Sequence, residues 1–448
     1  MDEGEVHGIS NPRTGVTKAA GAVLRRELYD WRLWGARAIV VGAAILAGMT
    51  IVGFTWLTEH ATNAFFVHIH SHAALPLIWT PLCSGLIVWC TRRFAAGAAG
   101  SGIPQVMAAL DTQVDASRRG LFVSLRLSLA KIVLTSWGLL GGLSLGREGP
   151  SVQIAAGIML QAQRWMPRRA AVNAHGLLVA GGAAGIAAAF NTPLAGVMFA
   201  IEELARAPEK RNSGLIIAAI VLAGLIAVSA HGNGTYFGVI RAAPVGLALL
   251  LPGLCVTIVA GLAGGVFSRL ILASLSGEGT DWLSRLRGRR PVVFAMACGV
   301  VVAVIGLLTG GATFGTGYAS TRHMVESGVA VPATYAFFKF LATWFTTWAG
   351  VPAGIFAPSL AIGAGIGNDI ALLAGHSQAS ALIALGMVGF LAAVTQAPLT
   401  SFIIVMEMVD GHAMVLSLMA CALVGSAIAR LISRPLYPSL ARLQLMRM

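Results

Sequence analysis

The sequence predicts an all-α polytopic membrane protein with repeatedly broken helices, on the strength of its composition, the spacing of its apolar runs and the placement of its glycines and prolines. Of 448 residues, 56% are hydrophobic and only 11% charged, where a soluble domain carries about a quarter charged. Apolar runs recur at 38–57, 74–90, 121–143, 151–163, 174–201, 214–230, 242–276, 291–308, 333–349, 355–374, 379–406 and 413–432. A full span takes about 20 apolar residues, so the shorter runs predict half-spans and the longer ones helical hairpins. The 54 glycines and 17 prolines are scattered through the runs rather than gathered in linkers. A helix broken in hydrocarbon strands polar backbone groups unless they face protein or a cavity. Frequent breaks therefore predict a thick bundle around a polar route, as a single domain over 1–448.

At the N-terminus, Met1-Asp2-Glu3-Gly4-Glu5 is acidic and the first apolar run starts at Ala38, so no cleavable signal is expected. Residues 12–37 carry six basic side chains while Leu24, Leu28, Trp31 and Trp34 recur at helical spacing, which predicts a cytoplasmic or interfacial helix. The net charge of +13 is concentrated in pairs such as Arg92-Arg93, Arg118-Arg119, Arg168-Arg169 and Arg289-Arg290 beside apolar runs. That is the cytoplasmic bias of membrane proteins, not a nucleic-acid surface. The hydrophilic stretch from Glu278 to Arg290 reads as an inter-helix loop. Cys83, Cys90, Cys255, Cys298 and Cys421 lack a Cys-x-x-Cys pairing and read as small hydrophobes. His68, His70 and His72 alternate without a partner in ligand spacing, so a polar loop is expected and no metal. Gly363-Ala364-Gly365-Ile366-Gly367 has no βαβ context, which leaves close helix packing and no cofactor.

Two regions of the chain match each other. Gly146-Arg147-Glu148-Gly149-Pro150-Ser151 and the following residues align with Gly354-Ile355-Phe356-Ala357-Pro358-Ser359 at an offset of 208, sharing Gly-x-x-x-Pro-Ser-x-x-Ile-x-Ala-Gly-Ile. Gly181 to Glu202 aligns with Gly386 to Glu407 at an offset of 205. Two matches in order at nearly one offset predict two halves on one plan, 38–230 and 242–432, followed by a C-terminal helix over 433–448. Halves of transporters are often inverted, with broken helices meeting near the midplane. The helix starts after Gly146 and Gly354 are therefore expected to point into one site.

Proline fits the first turn of a helix, where its missing N–H has no partner to lose. The neighbouring amides stay exposed and the peptide dipoles lend that end partial positive charge. Such ends hold anions without a full opposing charge, which suits sites that must also release them. Glu148, a lone carboxylate between glycines at one such start, has the charge of a bound anion. Gly100-Ser101-Gly102-Ile103-Pro104 is a third glycine-rich lead into a helix, with a serine hydroxyl to donate.

These three segments, in this order, resemble the signatures of the CLC family of chloride channels and proton-coupled chloride exchangers, and the resemblance covers about residues 35–440. It implies a CLC-type inverted repeat of tilted and broken helices, assembled as a homodimer with one anion pathway per subunit. It further implies that Ser101 and Tyr437 supply hydroxyls to the central anion, helped by the amides of Ile355 and Phe356. Gly146, Arg147, Gly149 and Ala357 would line the path with backbone, and Glu148 would be the external gate and proton acceptor. Serine at 101 favours chloride over nitrate. Gln105 stands where prokaryotic exchangers usually have glutamate. With eleven residues after Tyr437, the paired regulatory modules of larger relatives are not expected.

Glu202 and Glu203 end an apolar segment. Glu202 aligns with Glu407, which predicts a shared structural task at a helix end, whereas Glu203 aligns with Met408. Adjacent helical residues face apart, and the resemblance makes Glu203 the internal proton-transfer residue. The bland alternative is a solvated terminus with Arg206 as partner of Glu203, set against the cost of a carboxylate near the membrane interior. The expected function is a proton-coupled chloride exchanger of the bacterial inner membrane; the alternative is a passive voltage- or pH-dependent chloride channel. No reactive cluster points to an enzyme.

Overall fold

A computed structural model describes residues 31–72, 74–167, 173–205, 213–232, 234–240, 249–277, 282–327, 331–375 and 378–447. Among them all regular structure is helical apart from a single two-residue bridge. The first half comprises α1 (Trp31–Phe65), α2 (Leu75–Phe94), α3 (Ile103–Leu110), α4 (Leu125–Leu140), α5 (Glu148–Gln161), α6 (Ala174–Phe190), α7 (Pro193–Phe199) and α8 (Ser213–His231). The second comprises α9 (Leu250–Ser276), α10 (Trp282–Arg289), α11 (Pro291–Leu308), α12 (Tyr318–Ser327), α13 (Tyr335–Ala349), α14 (Phe356–Leu373), α15 (Ala379–Thr395), α16 (Pro398–Met408) and α17 (Val415–Ile432). Then α18 (Leu436–Leu445) closes the chain. Among the described residues, six stretches are helical, long and apolar enough to cross a membrane, and four further apolar helices are shorter. Large apolar side chains such as Ile78, Leu251, Leu416 and Leu431 lie exposed on the outside, the arrangement of an integral membrane protein.

Packing repeats with the sequence. In the first half α5 lies on α6, α6 on α8 and α1 on α8; in the second α14 lies on α15, α15 on α17 and α9 on α17. Close approach depends on glycine: a Cβ at Gly363 would strike the Gly386 carbonyl, and one at Gly367 the Leu382 carbonyl. The glycine run 363–367 therefore serves helix packing, as its composition indicated.

The breaks have identifiable chemistry. The apolar run 174–201 is interrupted where Asn191 adopts φ 60° and Pro193 opens α7. The run 379–406 is interrupted at Gln396, φ 58°, before Pro398 opens α16. Asparagine tolerates the left-handed region, and proline takes a first-turn position without losing a bond.

Three expectations need comment. The stretch expected as a loop up to Arg290 contains α10, because Trp282, Leu283 and Leu286 give it an apolar side. Arg287 fastens it through Nε to the Trp348 carbonyl at 3.1 Å and Nη1 to the Ser274 carbonyl at 3.0 Å. Of the helix expected over 12–37, residues up to 30 lie outside the described part, and from Trp31 the chain runs unbroken into the first span. The histidines fall not in a loop but largely on a π-helical turn, Phe66–His70, that extends α1. There the His70 ring packs against Phe65, Phe66 and Phe314.

Candidate functional site

The two repeated motifs meet backbone to backbone. Gly146 and Gly354 exchange hydrogen bonds, N–H to O at 2.7 Å and 3.1 Å, as an antiparallel bridge. A Cβ on Gly354 would lie 2.7 Å from the Gly146 carbonyl oxygen and 2.9 Å from Cδ of Pro150, so Gly354 is not replaceable without parting the pair, whereas a Cβ on Gly146 would strike the Glu148 carboxylate. The third signature joins them: Gly100 N–H donates to the Val351 carbonyl at 3.2 Å, and Ala353 N–H to the Gly100 carbonyl at 3.1 Å. Thus the helix starts of α5 and α14 meet as the sequence repeat predicted, and that of α3 joins them, bringing their orphan first-turn amides together.

Glu148 is the first residue of α5 and is fully buried. Its Oε2 accepts the N–H of Ala357, in the first turn of α14, at 3.3 Å, while Oε1 has no protein hydrogen-bond partner. The carboxylate of one half therefore rests on the helix start of the other, where a free anion would find amides and a favourable dipole. Ser101 and Tyr437 are 8% and 0% exposed. Their hydroxyls are close neighbours, yet neither has a well-formed protein hydrogen bond. The Tyr437 ring stacks on Phe356 at 5.8 Å and 11°, with Phe190 and Phe199 on the other sides of Phe356. Ile355 caps α14 and Phe356 is its first residue. All the expected anion-site residues thus come from the junction of these helix starts and α18.

Gln105 completes the serine turn. Its Oε1 accepts the Gly102 N–H at 2.9 Å and its Nε2 donates to the Ala99 carbonyl. A glutamate there could accept the first bond but, when ionised, could not make the second.

The structure separates the paired glutamates. Glu202 accepts the N–H groups of Leu399 and Thr400 at 3.1 and 2.7 Å, capping α16 of the opposite half. Glu407 returns the arrangement, accepting Leu194 and Ala195 N–H at 3.2 and 2.7 Å to cap α7. This reciprocal exchange is the shared structural task their alignment indicated. Glu203 lies on a π-helical turn, Ala200–Ala205, and is 7% exposed. It lines a cavity of about 310 Å³ together with Asp111, His175, Arg442 and Pro438. Arg206 lies outside the described residues.

Two lysines went unnoticed in the sequence. Lys131 Nζ donates to the carbonyls of Ala98 and Gly100, both at 2.7 Å. Lys339 Nζ donates to those of Thr313 and Gly315 at 2.9 and 2.8 Å. Both lysines are fully buried, and they stand 208 residues apart, the offset of the glycine motifs. That offset was the available signal. The matching lysine bonds, rather than the offset, make Gly315-Thr316-Gly317, leading into α12, the counterpart of Gly100-Ser101-Gly102. Among the described residues no group of three or more potential ligands could hold a metal.

A family profile described as "Voltage gated chloride channel" matches residues 82–430. Among solved structures, a slow cyanobacterial Cl⁻/H⁺ antiporter is similar at TM-score 0.76 and 25% identity, covering 92% of this chain and 99% of its own. A CLC-type fluoride/proton antiporter gives TM-score 0.72 at 20% identity, over 92% of this chain and 98% of its own. A eukaryotic CLC transporter gives 0.72 at 22%, over 92% and 74%. With the inverted repeat, the three converging helix starts and a profile match over most of its length, the chain belongs to the voltage-gated chloride channel family.

Proposed function

We propose that this protein is a proton-coupled chloride exchanger of the bacterial inner membrane, working as a homodimer with one pathway per subunit and performing no chemistry on its substrates. The observation that carries the reading is the placement of the buried Glu148 carboxylate on the Ala357 amide. An ionised carboxylate there takes the place of an anion. Neutralised by a proton, it holds that amide weakly, and chloride displaces it. The hydroxyls of Ser101 and Tyr437 and the amides of Ile355 and Phe356 hold the central ion, while backbone at Gly146, Arg147, Gly149 and Ala357 frames its route. Glu203 passes the proton inward of the point where the two routes part. The named function of the cyanobacterial relative, Cl⁻/H⁺ antiport, supports coupled exchange over a passive pore.

The cavity beside Glu203 faces the cytoplasm in this reading. Arg442 lines it, Arg430 and Arg434 line a second cavity at the start of α18, and Arg119 and Arg164 line a third. Basic residues gathered in this way mark the inner side. The opposite cavity, beside Arg147, is then the outer mouth.

Paired measurements of chloride efflux and proton uptake in liposomes test the proposal. Glu148→Gln keeps chloride flux and loses proton movement; Glu203→Gln leaves chloride binding in place and abolishes proton flux. Proton movement persisting in either variant would refute the assigned roles, and chloride flow with no proton movement in the parent protein would make it a passive channel.

A further inference from the structure

Resting on the exchange reading above, we propose that Arg147 and Glu59 form a second anion site in the outer cavity, at which the Glu59 carboxylate occupies the place that chloride takes during entry. Arg147 directly precedes Glu148 and caps α5. Its guanidinium side chain is only 6% exposed, and among the described residues its one ion pair is to Glu59, Nη1 to Oε1 at 2.9 Å, with Glu59 53% exposed. The remaining contacts are neutral: Nη1 to the Thr55 carbonyl at 3.3 Å and to Thr58 Oγ1 at 3.4 Å, and Nη2 to the Tyr236 hydroxyl at 3.1 Å. The Nε–H has no partner. A cation so deeply placed needs a compensating anion, but this one has a long, half-exposed side chain whose pairing contributes little.

The space for a competitor is present. A cavity of about 520 Å³ is lined by Glu59, Arg147, Thr62, Asn63 and Tyr236. Thr316 and Gly317 complete its wall, and they belong to the second-half counterpart of the turn that carries Ser101. The counterpart keeps the backbone form, with φ of 65° at Gly315 and 83° at Gly317 against 76° at Gly100 and 113° at Gly102. The charged and titratable groups facing the pair are Glu148, next in sequence on α5, Tyr236 on the segment 234–240, and Tyr318 on α12, whose ring packs on Tyr236. Only Glu59 among them is a half-exposed carboxylate at the mouth. The molecule thus carries two carboxylates in series, each resting on donors that suit a monovalent anion. Glu59 sits on a guanidinium outside and Glu148 on an amide within.

The experiment uses Glu59→Gln in the full chain. Outer chloride KM is measured in proteoliposomes, and bromide is located by its anomalous signal in crystals grown in bromide. Removal of the competing carboxylate lowers outer chloride KM about three- to fivefold, the scale of a lost half-exposed ion pair. Bromide then appears within hydrogen-bond reach of Arg147. A KM within twofold of the parent overturns the inference. So does a lower KM with no bromide at Arg147, since Glu59 would then act through its field alone. Unaltered size-exclusion behaviour and central-site bromide show that the variant is folded. Absence of chloride flux in the parent protein would refute the exchange reading instead.

Discussion

Replacing Lys131 by methionine tests whether the central anion site depends on a lysine that touches no ion. Lys131 Nζ bonds the carbonyls of Ala98 and Gly100 at 2.7 Å each, and the Gly100 carbonyl belongs to the peptide that leads into Ser101. Methionine fills similar volume without donating, leaving the Ala98 carbonyl unpaired at about 1–3 kcal/mol and the Gly100 carbonyl with the Ala353 N–H alone. The turn relieves that penalty by rotating about Gly100, which is free to do so at φ 76°. Ser101 is then carried off the position at which its hydroxyl meets the ion. A hydrogen bond to a charged group contributes about 1.5–3 kcal/mol, so chloride affinity falls about 10- to 100-fold. Isothermal titration of chloride into purified protein reads this directly. Lys339→Met is the internal control: it removes the equivalent pair of bonds from the other half's turn and leaves central-site affinity within twofold. Chloride affinity within twofold of the parent in Lys131→Met would refute the positioning role.

The reciprocal caps predict equal penalties. Glu202→Ala and Glu407→Ala each remove the carboxylate that accepts two backbone N–H groups at a helix start in the opposite half. Each should destabilise the fold by about 1–3 kcal/mol, discounted for partial exposure, and lower the Tm in detergent to a similar extent; a large effect from only one would contradict the symmetry. Gly102→Ala places a Cβ against the Gly149 carbonyl at φ 113°, and should cost about 2–4 kcal/mol from strain and overlap. Its Tm should fall and chloride binding be lost, whereas parental Tm and binding would show that α3 and α5 do not interlock.

Much of this architecture was legible because the chain repeats itself. The Gly146 and Gly354 motifs predicted a meeting point, and their mutual backbone bonds supply it. Alignment of Glu202 with Glu407 predicted a shared helix-end task, but not that each would cap a helix of the other half. Hydropathy merged α6 with α7 and α15 with α16, because one polar residue, Asn191 or Gln396, barely lowers the mean of a long apolar run; proline two residues later was the better marker. Lys131 and Lys339 were overlooked for a different reason. A lone lysine in an apolar run has no local periodic signature, and its partners lie in turns 24–33 residues away. The Arg147–Glu59–Tyr236 group draws on three separate segments, and only the folded chain brings them together.

The central claim is that an ion path and a proton path share Glu148. Protein reconstituted in liposomes, given an outward chloride gradient and no initial pH difference, tests it with a pH electrode in weakly buffered outer solution. The account predicts that the outer solution turns alkaline as protons are drawn inward against the developing gradient, and that Glu148→Gln abolishes this while chloride still flows. Chloride efflux with no proton movement in the parent protein would contradict it.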